Sequence, residues 1–257
     1  MDTFLIAILA LLASLLTFFS GFGLGTLMLP VFCIIYPVEI AVLMTALVHF
    51  LNNCFKFLLV FKYIQKNFAL RFAFFSIPAA VLGSYMLSEW IKDKILFNYQ
   101  IQGISFDVTF LKIFIGCLML LFVIIETNST IKSKQISPKY LPVGAVLSGF
   151  FGGLSGHQGA LRSMFLIKSI PSKEKFIATG IAIACLVDLT RIPLYIWYLR
   201  DEHLHTNNLQ LIIVALAAFV GAYFGNKFLH KIEISSIHKV VTFFLIFTAA
   251  MLISGLI

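Results

Sequence analysis

Eight long apolar blocks, joined by short polar connections, leave this chain one solvent in which to fold. They run from about Phe4 to Tyr36, Glu39 to Phe61, Leu70 to Trp90, Val108 to Ile125, Leu141 to Ile170, Phe176 to Leu199, Leu209 to Leu229 and Ile237 to Leu256. A helix that crosses a bilayer needs about 20 mostly apolar residues. Eight such blocks leave no room for a soluble domain of about 100 residues. The blocks are continuous, whereas the strands of a membrane β-barrel alternate apolar and polar residues. Only 12% of the residues are charged and 60% are hydrophobic, against about 25% charged in a soluble domain. Such a chain cannot cover a water-facing fold, which excludes an ordinary soluble enzyme, a disordered tail and a disulfide scaffold. An all-α polytopic membrane protein is predicted.

Two blocks are interrupted, the first at Ser20-Gly21-Phe22-Gly23-Leu24-Gly25-Thr26 and the fifth from Gly152 to Gly159. These breaks belong to a wider internal repeat. Ser20-Gly21-Phe22 matches Ser148-Gly149-Phe150, Pro37-Val38-Glu39 matches the stretch from Pro171 to Glu174, and Ala79 to Tyr85 matches Ala217 to Tyr223. Between these anchors, Asn53 and Lys56 align with Asp188 and Arg191. Matches in the same order along both halves indicate a duplicated unit. The expected organisation is a first repeat over 1–127, a basic cytoplasmic linker over 128–140 and a second repeat over 141–257.

Charge placement sets the topology. Lysines and arginines cluster around Lys62, Lys66 and Arg71, around Lys132, Lys134 and Lys139, around Lys168, Lys173 and Lys175, and around Lys227, Lys231 and Lys239. Basic loops face the cytoplasm, so the net charge of +8 reports topology rather than nucleic-acid binding. All four clusters fall on one side only if blocks one and five enter and return. Each half is then a glycine-broken re-entrant hairpin plus three transmembrane helices. Three crossings are an odd number, so the second half is inverted. The first block lacks a basic flank and runs past any plausible cleavage point, so it is expected to belong to the mature chain.

Irregular backbone inside a bilayer is tolerated where protein or a water-lined cavity satisfies it, and glycine allows the close approach. The predicted binding residues are therefore Gly21, Gly23 and Gly25 of the first break and Gly153, Gly156 and Gly159 of the second. Gly83 and Gly221 are expected only to pack helices. The second break also carries His157, Gln158 and Arg162. A guanidinium can offer a bidentate fork to a sulfonate or carboxylate, and histidine can donate a hydrogen bond or titrate near neutral pH. Block six holds Asp188 and Arg191, three apart on one face near mid-membrane, where ionisable groups are expensive and functional. Arg191 is expected to meet an anion, and Asp188 to orient it or to carry a coupling ion. Asn53 and Lys56 are the matching pair of the first half, with Thr45, His49 and Asn52 as weaker candidates. No cofactor or metal is expected. The four cysteines read as small core residues.

The segments Ser20 to Pro30 and Gly149 to Arg162 resemble the sulfite exporter TauE/SafE family, and the resemblance covers essentially the whole chain, duplication included. The second half, with Ile-Ala-Thr-Gly around Thr179 and Cys-Leu-Val-Asp-Leu-Thr-Arg ending at Arg191, looks like one branch of it. The resemblance implies a bacterial inner-membrane permease for sulfite, sulfonates or related small anions. Two departures fall in the site: His157 and Gln158 stand where many members have glycine, and no proline matches Pro30. The resulting expectation is a non-enzymatic, multi-pass secondary transporter working by alternating access with a proton or sodium ion. An anion channel or a non-transporting assembly or sensor protein stands as the alternative. Its partners would be the bilayer and a small anion, with a homodimer left open.

Overall fold

A computed structural model of the chain describes residues 3–20, 23–91, 95–128, 136–170, 172–200, 208–227 and 234–257. Gly21, Lys92, Asp93, Lys94, Lys132, Lys134, Asp201, Glu202, His203, His205, His230 and Lys231 lie outside these residues. The helices are α1 (Thr3–Ser20), α2 (Leu24–Cys33), α3 (Val38–Val60), α4 (Lys66–Ile91), α5 (Phe110–Thr127), α6 (Leu141–Ser155), α7 (Gly159–Leu166), α8 (Lys173–Leu199), α9 (Asn208–Lys227) and α10 (Ile234–Ser254). Among the described residues, four helical segments are long and apolar enough to cross a membrane: Val38–Tyr63, Lys66–Glu89, Lys173–Leu199 and Leu209–Lys227. Apolar side chains also cover the outer surface, as on Leu58, Phe74, Trp197 and Phe243. In water such a surface would drive aggregation, and in lipid it is neutral.

One element departs from an all-helical reading. Strands β1 (Ile95–Ile101) and β2 (Ile104–Thr109) pair as an antiparallel hairpin between α4 and α5. Its turn places Gln102 at φ 50° and Gly103 at φ 83°, the two positive angles of a turn whose twist matches the strands. Val108 and Thr109, expected to open the fourth helix, instead end β2. The Thr109 hydroxyl then caps α5, accepting from the Lys112 amide at 3.3 Å.

The helix ends sort into two groups. At one end, Ala69 and Phe72 of α4 cluster with Ala145 of α6, Leu166 of α7 and Ile170. Val60 of α3 clusters with Ala178 and Ile181 of α8 and Ala222 of α9, and the Gln65 amide donates to Thr179 Oγ1 at 3.0 Å. Lys62, Lys66, Lys139, Lys168, Lys173, Lys175 and Lys227 belong to these ends. At the other end, Tyr36 donates to Gln210 Oε1, and the Tyr99 hydroxyl donates to the Ser254 carbonyl at 2.6 Å. The described basic residues of the four clusters thus gather at one end, as the charge pattern predicts.

α6 and α7 fold back on one another. A Cβ on Gly144, in the first turn of α6, would lie 2.2 Å from the ring of Phe165, at the end of α7. The break that reverses the chain is narrower than the sequence suggested. Gly152 and Gly153 are still helical, and the irregular residues are Gly156, His157 and Gln158.

The packing exchanges the two halves. α1 packs on α9 and α6 packs on α4; α4 meets α8 as α9 meets α3; α3 pairs with α8 and α5 with α10. Gly83 and Gly221 make these contacts possible, as expected. A Cβ on Gly83 would lie 2.1 Å from the Phe150 carbonyl oxygen, and one on Gly221 would lie 2.1 Å from that of Leu11. The first sequence anchor needs correction, however. Ser148-Gly149-Phe150 lies inside α6, where a Cβ on Gly149 would lie 2.1 Å from the Ser76 carbonyl oxygen of α4. α1 ends at Ser20 and α6 at Ser155. Ser155 ends α6 as Ser20 ends α1, at the same spacing that separates Asn53 from Asp188 and Lys56 from Arg191.

Candidate functional site

The centre of the molecule is organised by one carboxylate. Asp188 sits near the middle of α8 with no solvent exposure. Its Oδ1 accepts from Arg191 Nε at 2.9 Å and from Gln158 Nε2 at 3.3 Å, and lies 2.8 Å from Arg191 Nη2. Its Oδ2 lies 2.6 Å from His49 Nδ1 on α3. The i,i+3 spacing puts Asp188 and Arg191 on one helical face. His49 arrives from the antiparallel helix α3, and Gln158 from the break between α6 and α7. A buried pair of opposite charges is tolerated when the remaining lone pairs and protons are also satisfied, and here the donors come from three separate elements.

The end of α6 has the problem of every helix terminus: its last carbonyls lack partners inside the helix, and in a bilayer water cannot supply them. The Gly152 oxygen accepts from the Gly156 amide at 3.0 Å and from Arg191 Nη1 at 3.0 Å. The Gly153 oxygen accepts from Ser84 Oγ at 3.1 Å and from the Tyr195 hydroxyl. Gly156 turns the chain at φ 84°, and a Cβ there would lie 2.7 Å from Arg191 Nη1. Gln158 is held from behind, its carbonyl accepting from Ser148 Oγ at 3.1 Å. Arg191 therefore ties the broken end of α6 to α8.

Beside this network lies a cavity of about 630 Å³ of empty space, measured out to its mouth. His49, Asn53, Lys56 and Arg162 line it, with Gly23 at the start of α2 and Gly180 of α8. Among the described residues, two cationic side chains line it and no carboxylate does. Arg162 is held by Gln158, Nη1 donating to Oε1 at 3.3 Å, so the cavity and the Asp188 network share a residue. Lys56 is 5% exposed. With the Asn52 amide turned so that its NH2 donates to the Ala218 carbonyl at 3.1 Å, its oxygen accepts from Lys56 Nζ at 3.1 Å. The Asn53 amide nitrogen lies 3.2 Å from each ring nitrogen of His49. Phe176, Ile177 and Ile181 continue the wall toward the basic end, whereas Tyr36, Gln210 and Ile257 of the opposite end take no part in it.

The start of α2 meets the second break at this level. A Cβ on Gly25 would lie 3.6 Å from the Gly156 carbonyl oxygen and 3.7 Å from His49 Cδ2, so the first turn of α2 rests against the second break beside the His49 ring.

Among the residues expected to bind an anion, the cavity brings together Gly23, Asn53, Lys56 and Arg162. Gln158 reaches it only through Arg162. Arg191 is not part of its wall, and its guanidinium is committed to Asp188 and the Gly152 carbonyl. Gly153 packs α6 on α4, since a Cβ there would lie 2.1 Å from the Ala80 carbonyl oxygen. Gly159 opens α7 and is buried. His157 turns away: its ring stacks on Phe122 of α5 with centroids 5.0 Å apart and planes 8° apart. Its Nδ1 lies 3.1 Å from Ser155 Oγ, and its Nε2 has no hydrogen-bond partner among the described residues. His49, only a weak candidate by sequence, is at the centre, and Tyr195 and Ser84 were not anticipated. Of the cysteines, Cys33 is buried as expected, Cys54 and Cys185 are half-buried, and Cys117 is exposed.

No curated protein and no solved structure matches the chain. The family model described as sulfite exporter TauE/SafE matches residues 6–252, nearly the full length, and the chain belongs to that family.

Proposed function

We propose that the chain is a secondary transporter of a small anion, such as sulfite or a sulfonate, in the cytoplasmic membrane. The carrying observation is the cavity: Lys56 and Arg162 bring two cationic side chains to its wall, and it ends at His49, where the start of α2 meets the break between α6 and α7. Desolvated cations attract an anion, and Arg162 can offer it a planar fork. Broken helices meeting near the midplane are where secondary transporters hold their substrates.

Alternating access between two inverted halves follows from the same layout. α3 and α8 run antiparallel, and the α1–α9 and α6–α4 contacts exchange under the repeat. This supports reading α1–α2 and α6–α7 as re-entrant hairpins entering from opposite faces. A cavity walled from the basic end alone fits the inward-facing state of a transporter. A channel would need a path that continues past His49 to the Tyr36–Gln210 end.

The test is direct binding to the purified full-length protein in detergent. Titration calorimetry with sulfite, methanesulfonate, sulfate and phosphate is expected to give saturable heats for at least one of them, and none for uncharged dimethyl sulfone. Heats no larger for any of the anions than for dimethyl sulfone would overturn the proposal.

A further inference from the structure

His49 is the cavity residue that also touches the central carboxylate, and the two contacts use different nitrogens. Nδ1 faces Asp188 Oδ2 at 2.6 Å. Asp188 has no oxygen to spare: Arg191 and Gln158 hold Oδ1, and His49 holds Oδ2. A carboxylate that only accepts requires a donor opposite it, so Nδ1 carries a hydrogen. Nε2 is then the nitrogen at which His49 gains or loses a proton. A Cβ on Gly23, a residue of the cavity wall, would lie 3.6 Å from Nε2.

Asn53 serves both states of that nitrogen. Its amide nitrogen lies 3.2 Å from Nδ1 and from Nε2 alike; with Nδ1 already donating to Asp188, Nε2 is the ring nitrogen left to exchange a hydrogen bond with it, and an amide carries both donors and acceptors. The NH2 donates to a neutral Nε2. Turned over, the oxygen accepts from a protonated one. No aspartate or glutamate could serve the neutral form in this way, and no lysine or arginine the charged form.

We propose that His49 Nε2 is the proton-binding site that couples proton movement to anion movement, with Asp188 as its fixed anchor and Asn53 as its two-way partner. This rests on the anion reading above and names its coupling ion. The charged groups facing His49 are Asp188 and Arg191 from α8 and Arg162 from α7. Lys56 shares its helix and the cavity. α1 and α2 contain no charged residue, and in α9 the sole charged residue is Lys227 at its far end. With Asp188 neutralised by Arg191, a proton on His49 adds a third positive charge to the wall that Lys56 and Arg162 already make positive. An anion in the cavity offsets that charge, so each ligand strengthens the binding of the other. Linkage requires the two effects to be equal, and ligands that bind together in one alternating site travel in the same direction.

The experiment measures binding of methanesulfonate and of sulfite to the full-length protein by calorimetry in two buffers of different ionisation enthalpy. Methanesulfonate stays a monoanion throughout, so any proton taken up belongs to the protein. In the wild type, methanesulfonate binding is expected to take up as much as one proton per anion. Its affinity should fall by about tenfold or more from about pH 6 to about pH 8. In His49→Gln, the anion binding that remains is expected to show no proton uptake and a flat pH profile. Wild-type binding without proton uptake overturns the proposal whether or not the variant folds. Uptake that survives in a folded His49→Gln protein also overturns it, and points to Lys56. Failure of the wild type to bind methanesulfonate, sulfite, sulfate or phosphate instead overturns the anion reading itself.

Discussion

Arg191 occupies the space that a side chain on Gly156 would need. A Cβ at Gly156 would sit 2.7 Å from Nη1 and 3.3 Å from Nη2 of that guanidinium, while Nη1 donates to the Gly152 carbonyl one turn earlier. The glycine thus lets the break close around a cation, and the cation adds a second hydrogen bond to a carbonyl at the broken end. Sequence and site meet in this pair: a flexible residue at the break, and a charge on the neighbouring helix at the matching depth.

Gly156→Ala should therefore cost more than its backbone angle alone. Gly103, at the tip of the β-hairpin, has nearly the same φ of 83°, and a Cβ added there would meet nothing within 4 Å. Alanine in this left-handed region costs about 1–2 kcal/mol. Gly103→Ala is expected to show that penalty alone. Gly156→Ala should show a clearly larger fall in the melting temperature of the purified protein, because the guanidinium must move. Equal shifts would mean that Arg191 yields freely.

Asp188 and Arg191 should be strongly coupled. Removing one partner of a buried pair leaves the other charge uncompensated, at about 3–5 kcal/mol. Arg191→Met alone and Asp188→Asn alone are each expected to destabilise strongly, and the double variant less than the two together. A thermal-melting double-mutant cycle checks this, and additive effects would deny the coupling. Arg191→Met should also impair transport, through loss of the break's geometry rather than of an anion contact.

Gly83→Ala and Gly221→Ala should behave as a pair. Each added methyl would meet a carbonyl oxygen of the facing helix at 2.1 Å, and overpacking of this kind costs about 1–3 kcal/mol. Matched losses of thermal stability are expected, since the two helix contacts, α4 on α6 and α9 on α1, are equally close. A loss at one position alone would show that the two helix contacts differ in tightness.

Much of this site was legible because charges inside apolar blocks stand out. Lys56, Arg162, Asp188 and Arg191 needed no three-dimensional information to be noticed. Their division of labour did need it. Arg191 and Arg162 look alike in sequence, yet one is buried against a carboxylate from its own helix and the other lines the cavity. His49 was underrated because its partner is 139 positions away, beyond any local pattern. Gly153 was overrated because a glycine that packs two helices and one that shapes a break read identically. The β-hairpin was missed because its strands are short and sit between two strong helical signals.

The most direct test of the central claim, that Lys56 and Arg162 hold the transported anion, is the flux of radiolabelled sulfite in proteoliposomes carrying Lys56→Gln, Arg162→Gln or both. A charge-assisted hydrogen bond is worth about 1.5–3 kcal/mol. Each single variant is therefore expected to lose about tenfold or more in apparent affinity, and the double variant nearly all flux, with normal insertion. Wild-type flux and affinity in the double variant would contradict the account.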